Sequence, residues 1–195
     1  MQRLIIIGAL VLALLASNTW ADHAWNGYHW KSSNLAPTVA DKTTASIYEV
    51  GLGVAEWAAL GTPIQPTLSA TNKGKVTVSE GFSPFWLGQA RIFIDDSGHI
   101  TKGEVKLNTI LLEPLGPAAA DHVLCQELGH ILGLDHQRTA IDSCMNDIAV
   151  LGSVTTPNIH DAEQLGFIYS HMDSGGGRRS HETGWQVVDE IAALP

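Results

Sequence analysis

The chain has 195 residues, 45% of them hydrophobic and 16% charged, which is the make-up of one ordinary globular domain with enough chain for a single core. Its formal charge is −9, so nucleic acid and anionic membrane surfaces are poor partners.

Arg3 precedes an apolar run over residues 4–15, and Thr19, Trp20 and Ala21 offer a small-residue cleavage site. Residues 1–21 therefore read as a secretory signal peptide, with an apolar run too short and wrongly flanked for a membrane span. Arg3 is the only charge lost with it, so the mature chain is one unit more negative. The product is expected to be secreted, extracellular or periplasmic, with no membrane partner after cleavage. Residues 22–173 then form the domain, and residues 174–195 a Gly-rich linker and C-terminal tail.

In the mature chain, residues 25–30 and 35–39 read as extended and supply the first sheet strand. From Thr43 to about Leu60 the apolar residues Ile47, Val50, Val54 and Trp57 recur at helical spacing, with capping hydroxyls on Thr43 and Thr44. This helix should back the sheet, where close packing would accommodate Gly51 and Gly53. Trp25, Trp30 and Trp57 are expected in the core. A turn-rich stretch over residues 61–74 leads to a strand over residues 75–79, and a second loop leads to a strand over residues 89–94. Asp95, Asp96, Ser97 and Gly98 make a hairpin turn, and residues 99–108 return as a strand.

The chemistry concentrates in Val123-Leu-Cys-Gln-Glu-Leu-Gly-His-Ile-Leu-Gly-Leu-Asp-His136, on a helix expected to be capped by Asp121. Positions 126 and 130 lie about 40° apart on a helix and one turn apart along it, so Gln126 and His130 can reach one metal ion beside Glu127. Gly133 can take the left-handed conformation, end the helix and bring His136 round as a third ligand. His122 lies about 12 Å of helix rise from His130, too far for a shared metal. Cys125 and Cys144 are the only cysteines, and export makes a disulfide between them the expected state. Farther on, Asn158 caps a final helix with Asp161 three residues later, and Ile159, Ala162, Leu165, Ile168, Tyr169 and Met172 form its apolar stripe. Residues 184–195 read as a short amphipathic helix docking back or a frayed end.

QELGHILGLDH, followed nine residues after His136 by Met145, resembles the metzincin zinc proteases, and among them matrixin-like bacterial secreted proteins. Their pattern is His-Glu-x-x-His-x-x-Gly-x-x-His with a methionine turn beneath the metal. Glu127, His130, Gly133, His136 and Met145 carry the match, and a looser resemblance runs over residues 25–173. Gln126 stands where the first histidine belongs, and is similar to a subgroup that writes CQExGH. The resemblance implies an α/β (α+β) fold: a twisted, mixed five-stranded sheet, a backing helix, the active-site helix, the Met-turn and a C-terminal helix.

It further implies that Gln89, Ala90, Arg91 and Ile92 belong to an edge strand that pairs with an extended peptide or protein substrate. Zn2+ is the expected cofactor, held by Gln126, His130 and His136, with Glu127 as general base. Ca2+, or a structural zinc, is a further candidate ion at Asp95, Asp96 and His99, against ordinary turn chemistry for the same residues. The functional expectation is a monomeric, secreted zinc metalloendopeptidase. The alternative, favoured by Gln126 alone, is a catalytically weak or inactive relative that binds proteins.

Overall fold

A computed structural model describes residues 23–138, 142–147 and 151–170, together with the backbone of residues 185–192. The expected signal peptide and most of the Gly-rich linker lie outside the described residues. The strands are β1 (His29–Trp30), β2 (Thr38–Asp41), β3 (Thr67–Leu68), β4 (Val76–Glu80), β5 (Trp86–Ile94), β6 (His99–Leu107) and β7 (Trp185–Ala192). The helices are α1 (Val50–Ala59), α2 (Thr109–Leu112), α3 (Pro117–Ile131) and α4 (Ile159–Ile168). None among the described residues is long and apolar enough to cross a membrane.

The fold is mixed α/β. The strands form one sheet in the order β3-β2-β4-β6-β5-β7, with β1 pairing to β6 off that path. Pairings up to β6 are parallel, whereas β5 runs antiparallel to both β6 and β7. The expected count of five strands is thus exceeded. Two of the additions, β1 and β3, are two-residue pairings; β7 comes from the stretch expected to be a helix or a frayed end.

Register assigns the faces of the sheet. Val76 pairs with Gly103 and Val78 with Val105, while Ile92, Ala90 and Gly88 pair with Gly103, Val105 and Leu107. Directly paired residues share a face, so these form one surface. All the apolar members are buried, and α3 lies on this surface, with Ile131 against Gly103 and Glu127 against Gly88. Gln89 and Arg91 alternate to the opposite face, where Arg91 stands 3.7 Å from Glu104.

Helix α1 is shorter than its periodicity suggested. The hydroxyls of Thr43 and Thr44 bond Asp41 and Glu80 and do not cap a helix, so regular structure starts only at Val50. Its Gly53 accommodates Leu124 and Leu128 of α3, and the close packing is therefore helix against helix. Trp57 donates to the Cys125 carbonyl (3.0 Å) and Trp30 to the Ile131 carbonyl (2.9 Å), so two core indoles brace α3 through its backbone. Trp25 is buried as well.

Helix α3 also begins earlier than expected. Pro117 opens it, where the missing N–H costs nothing, and no side chain caps it; Asp121 lies within the first turns. Helix α4 has the expected capping box of Asn158 and Asp161. Its buried stripe differs: Ile159 is 73% exposed, while Asp161 and Gln164 are fully buried beside Leu165. Met172 lies outside the described residues.

Candidate functional site

Gln126, Glu127 and His130 sit on consecutive turns of α3, and all three are fully buried. The helix ends after Ile131 in a Schellman motif: Leu134 N–H donates to the Gly129 carbonyl (3.2 Å) and Gly133 N–H to the His130 carbonyl (2.9 Å). Gly133 has φ +102°, and a Cβ there would strike the Tyr28 carbonyl oxygen. Glycine is required twice over, by conformation and by space. The reversal returns His136, whose ring stacks on that of His130 at 4.8 Å between centroids.

The imidazole tautomers follow from their neighbours. His130 Nδ1 lies 2.9 Å from the Leu134 carbonyl oxygen, which can only accept, so Nδ1 carries a proton and, in the neutral ring, Nε2 carries the lone pair. His136 Nδ1 stands 3.2 Å from Asp147 Oδ2, an arrangement that favours the same tautomer. Arg138 donates to that carboxylate oxygen through Nε (3.0 Å) and Nη2 (2.6 Å).

Two imidazoles bound tetrahedrally to one zinc at about 2.0 Å have ring centres about 5 Å apart, a separation close to that of the His130 and His136 rings. Among the described residues, no group of three or more His, Cys, Asp or Glu stands ready to hold a metal. Gln126, buried one helical turn before His130, carries a neutral oxygen donor beside the pair. Neither its amide oxygen nor its amide nitrogen has a hydrogen-bond partner among the described residues. A buried polar group left unbonded costs about 1–3 kcal/mol, an expense that a ligand on the amide oxygen would remove.

Glu127 lies under β5, against Gly88. A Cβ built on Gly88 would be 2.7 Å from Glu127 Oε1 and would collide with Val123. A glycine within a strand signals such an approach, and it could have been read from the sequence.

Met145 is fully buried with its sulfur against Gly129, beneath the turn that carries His130. Its backbone is tied down on both sides: Met145 N–H donates to Ser143 Oγ (2.9 Å), and its carbonyl accepts from Gln137 N–H (2.8 Å). Ser143 Oγ in turn donates to Asp161 Oδ2 (2.6 Å). Asp161 is a hub, also accepting from Asn158 N–H (2.7 Å) and Gln137 Nε2 (3.3 Å), with His23 Nε2 at 3.1 Å. Cys125 and Cys144 are joined in a disulfide, Cα atoms 6.0 Å apart, linking α3 to this turn.

His122 is not part of the cluster. Its Nδ1 is 2.6 Å from the Val154 carbonyl oxygen, and burial pushes the ring below its ordinary pKa, partly offset by that bond. Asp95 behaves as a turn residue: its carboxylate accepts from the N–H groups of Ser97 (2.9 Å) and His99 (3.0 Å) and pairs with Lys31 at 3.0 Å. These donors outweigh desolvation and hold the carboxyl below its usual range.

Gln89, Ala90, Arg91 and Ile92 lie on β5 as expected, but β5 is not the end of the sheet. Strand β7 pairs along it, from Phe93 with Trp185 to Trp86 with Ala192.

The chain matches no family model and no curated protein.

Proposed function

We propose that the chain is an exported, metzincin-like zinc endopeptidase, with Gln126, His130 and His136 as metal ligands. The observation that carries the reading is the amide of Gln126, buried without a hydrogen-bond partner among the described residues and one helical turn from a histidine whose neutral tautomer is fixed by the Leu134 carbonyl. When bound, zinc would supply Lewis-acid polarisation of water and of a scissile carbonyl. Gln126 is neutral like the histidine it replaces, so it would leave that charge undiminished while holding the ion less tightly.

Glu127 is assigned as general base. It takes a proton from the attacking water as the oxygen bonds to the carbonyl carbon, then delivers it to the amine nitrogen as the C–N bond breaks. Its position beneath Gly88 would hold the carboxylate beside a peptide paired to β5. Asp147 and the Leu134 carbonyl orient the two imidazoles, and Met145 supports the helix without doing chemistry.

The test is hydrolysis of an unstructured protein at saturating zinc by wild type and Glu127→Gln, with bound metal assayed in both. Turnover should fall by at least about 100-fold while metal is retained. Equal activity would remove Glu127 from the mechanism. The second reading, a protein-binding module, rests on Gln126 and would gain if neither form hydrolysed the substrate. Competitive chelator titration separates the ligand assignment: Gln126→His should bind zinc more tightly than wild type and Gln126→Ala more weakly.

A further inference from the structure

We propose that β7 occupies the peptide-binding edge of β5, so that an extended peptide reaches the candidate site only by displacing the chain's own residues 185–192. The inference rests on the peptidase reading for its consequence and on backbone register for its substance.

Strand β5 has two sides. One is taken by β6, antiparallel from Gly88 paired with Leu107 to Ile94 paired with Ile100. The other is taken by β7, also antiparallel, with Ile92 opposite Gln186, Arg91 opposite Val187, Ala90 opposite Val188 and Gln89 opposite Glu190. The span from Trp86 to Gln89 contains Gly88, under which Glu127 packs, and it faces the stretch from Glu190 to Ala192. Residues of this chain therefore run past the proposed general base on the backbone track that strand addition would give a peptide.

A peptide cannot use that track while β7 does. Pairing instead to the outer side of β7 would set it one strand spacing, about 4.8 Å, farther from β5 and from Glu127. Hydrogen-bond contact with a carboxylate beneath Gly88 does not survive such a shift. Strand β7 is thus a competitor in cis, and a short tether gives such a competitor an effective concentration on the order of millimolar. Apparent peptide affinity falls by the fraction of molecules with the track open, so closure in nine molecules of ten weakens binding about 10-fold.

The experiment uses the full chain in a Glu127→Gln background, so that peptide is not consumed. The probe is a fluorescent synthetic peptide with the sequence of residues 185–192. It is titrated against that protein and against the same protein carrying Val187→Pro and Val188→Pro. Adjacent residues send their N–H groups to opposite sides, so one of the two prolines removes a donor facing β5. Affinity should rise about 10-fold in the proline form, and the backbone amides of residues 89–93 should lose hydrogen-exchange protection. Equal affinity in the two forms, or equal exchange over residues 89–93, overturns the proposal.

If the double variant does not fold, the two single prolines replace it. Only the one facing β5 should have the effect, and no difference from the parent in either single form likewise overturns the proposal. Hydrolysis assays with Glu127 restored separate the two readings. Tighter peptide binding with no hydrolysis in either form keeps the occupied edge and defeats the peptidase. Equal hydrolysis with unchanged peptide affinity keeps the peptidase and defeats the occupied edge.

Discussion

The carboxylate of Glu127 rests against the backbone of Gly88: a single added carbon on that glycine would stand 2.7 Å from Oε1 and 2.9 Å from Cγ. The contact fixes the helix to the strand at the proposed general base, with no slack for a side chain between them.

Gly88→Ala is therefore expected to move Glu127 or to push α3 away from β5. Overpacking of this kind costs about 1–3 kcal/mol of stability, whereas a misplacement of about 1 Å at a catalytic group costs on the order of 100-fold in rate. The expected outcome is kcat/KM down by about that factor, with a much smaller proportional loss of stability. Wild-type kcat/KM in Gly88→Ala would mean that Glu127 tolerates displacement and is not positioned by this contact.

Asp147 should set metal affinity through His136. Replacing it with alanine removes the carboxylate 3.2 Å from Nδ1, and loss of an outer partner of a ligating histidine weakens metal binding about 10-fold to 100-fold. Arg138→Ala should do much less, because its side chain is 66% exposed and an exposed ion pair contributes about 0–1 kcal/mol. Chelator competition on both variants checks the order. Equal affinities for wild type and Asp147→Ala would leave His136 oriented by something else.

Asp161 carries structural weight that its place in a capping box conceals. Its two oxygens face Ser143, Asn158, Gln137 and His23, so Asp161→Asn turns an amide N–H2 toward at least one donor. Leaving a buried donor unsatisfied costs about 1–3 kcal/mol, and for a domain of this size each kcal/mol lowers Tm by about 2–4 °C. A fall of roughly 2–12 °C is expected by thermal scan at neutral pH. A shift under about 2 °C would show that the hub is not needed to brace the methionine turn.

The helix carrying Gln126, Glu127 and His130, its stop at Gly133 and the return of His136 were legible because they depend on local periodicity and one left-handed glycine. The disulfide was legible because only two cysteines exist. Gly88 carried a local sign of close approach, a glycine within a strand, but not the identity of the residue it meets; Asp147 and the wider role of Asp161 were not read, since each acts on a residue brought close by tertiary packing. Ile159 shows the same limit from the other side: its spacing fits the apolar stripe of α4, yet the buried positions are Asp161 and Gln164, bonded to His23 and the methionine turn. Strand β7 was misread because a segment ending in apolar residues fits a helix or a strand, and only the open side of β5 decides between them.

His122 gives the fold a pH dependence separable from that of its carboxylates. Its ring is buried, which lowers its pKa from the ordinary 6.5, and the hydrogen bond to the Val154 carbonyl only partly opposes this. The unfolded chain therefore binds a proton at a higher pH than the folded one. Stability from this group is complete above pH 6.5 and is lost as pH falls below that value, down to the lowered folded-state pKa. Glu80 and Asp95, held below ordinary values of 4.5 and 3.8, contribute stability that is lost only at more acid pH. The informative quantity is the difference between wild type and a variant that cannot titrate at this site. His122→Asn can keep a donor toward Val154 without taking up a proton. Urea unfolding from pH 7.5 to about 5 should show wild type losing stability faster than His122→Asn below pH 6.5. Parallel curves for the two proteins across that range would show that His122 has the same proton affinity folded and unfolded.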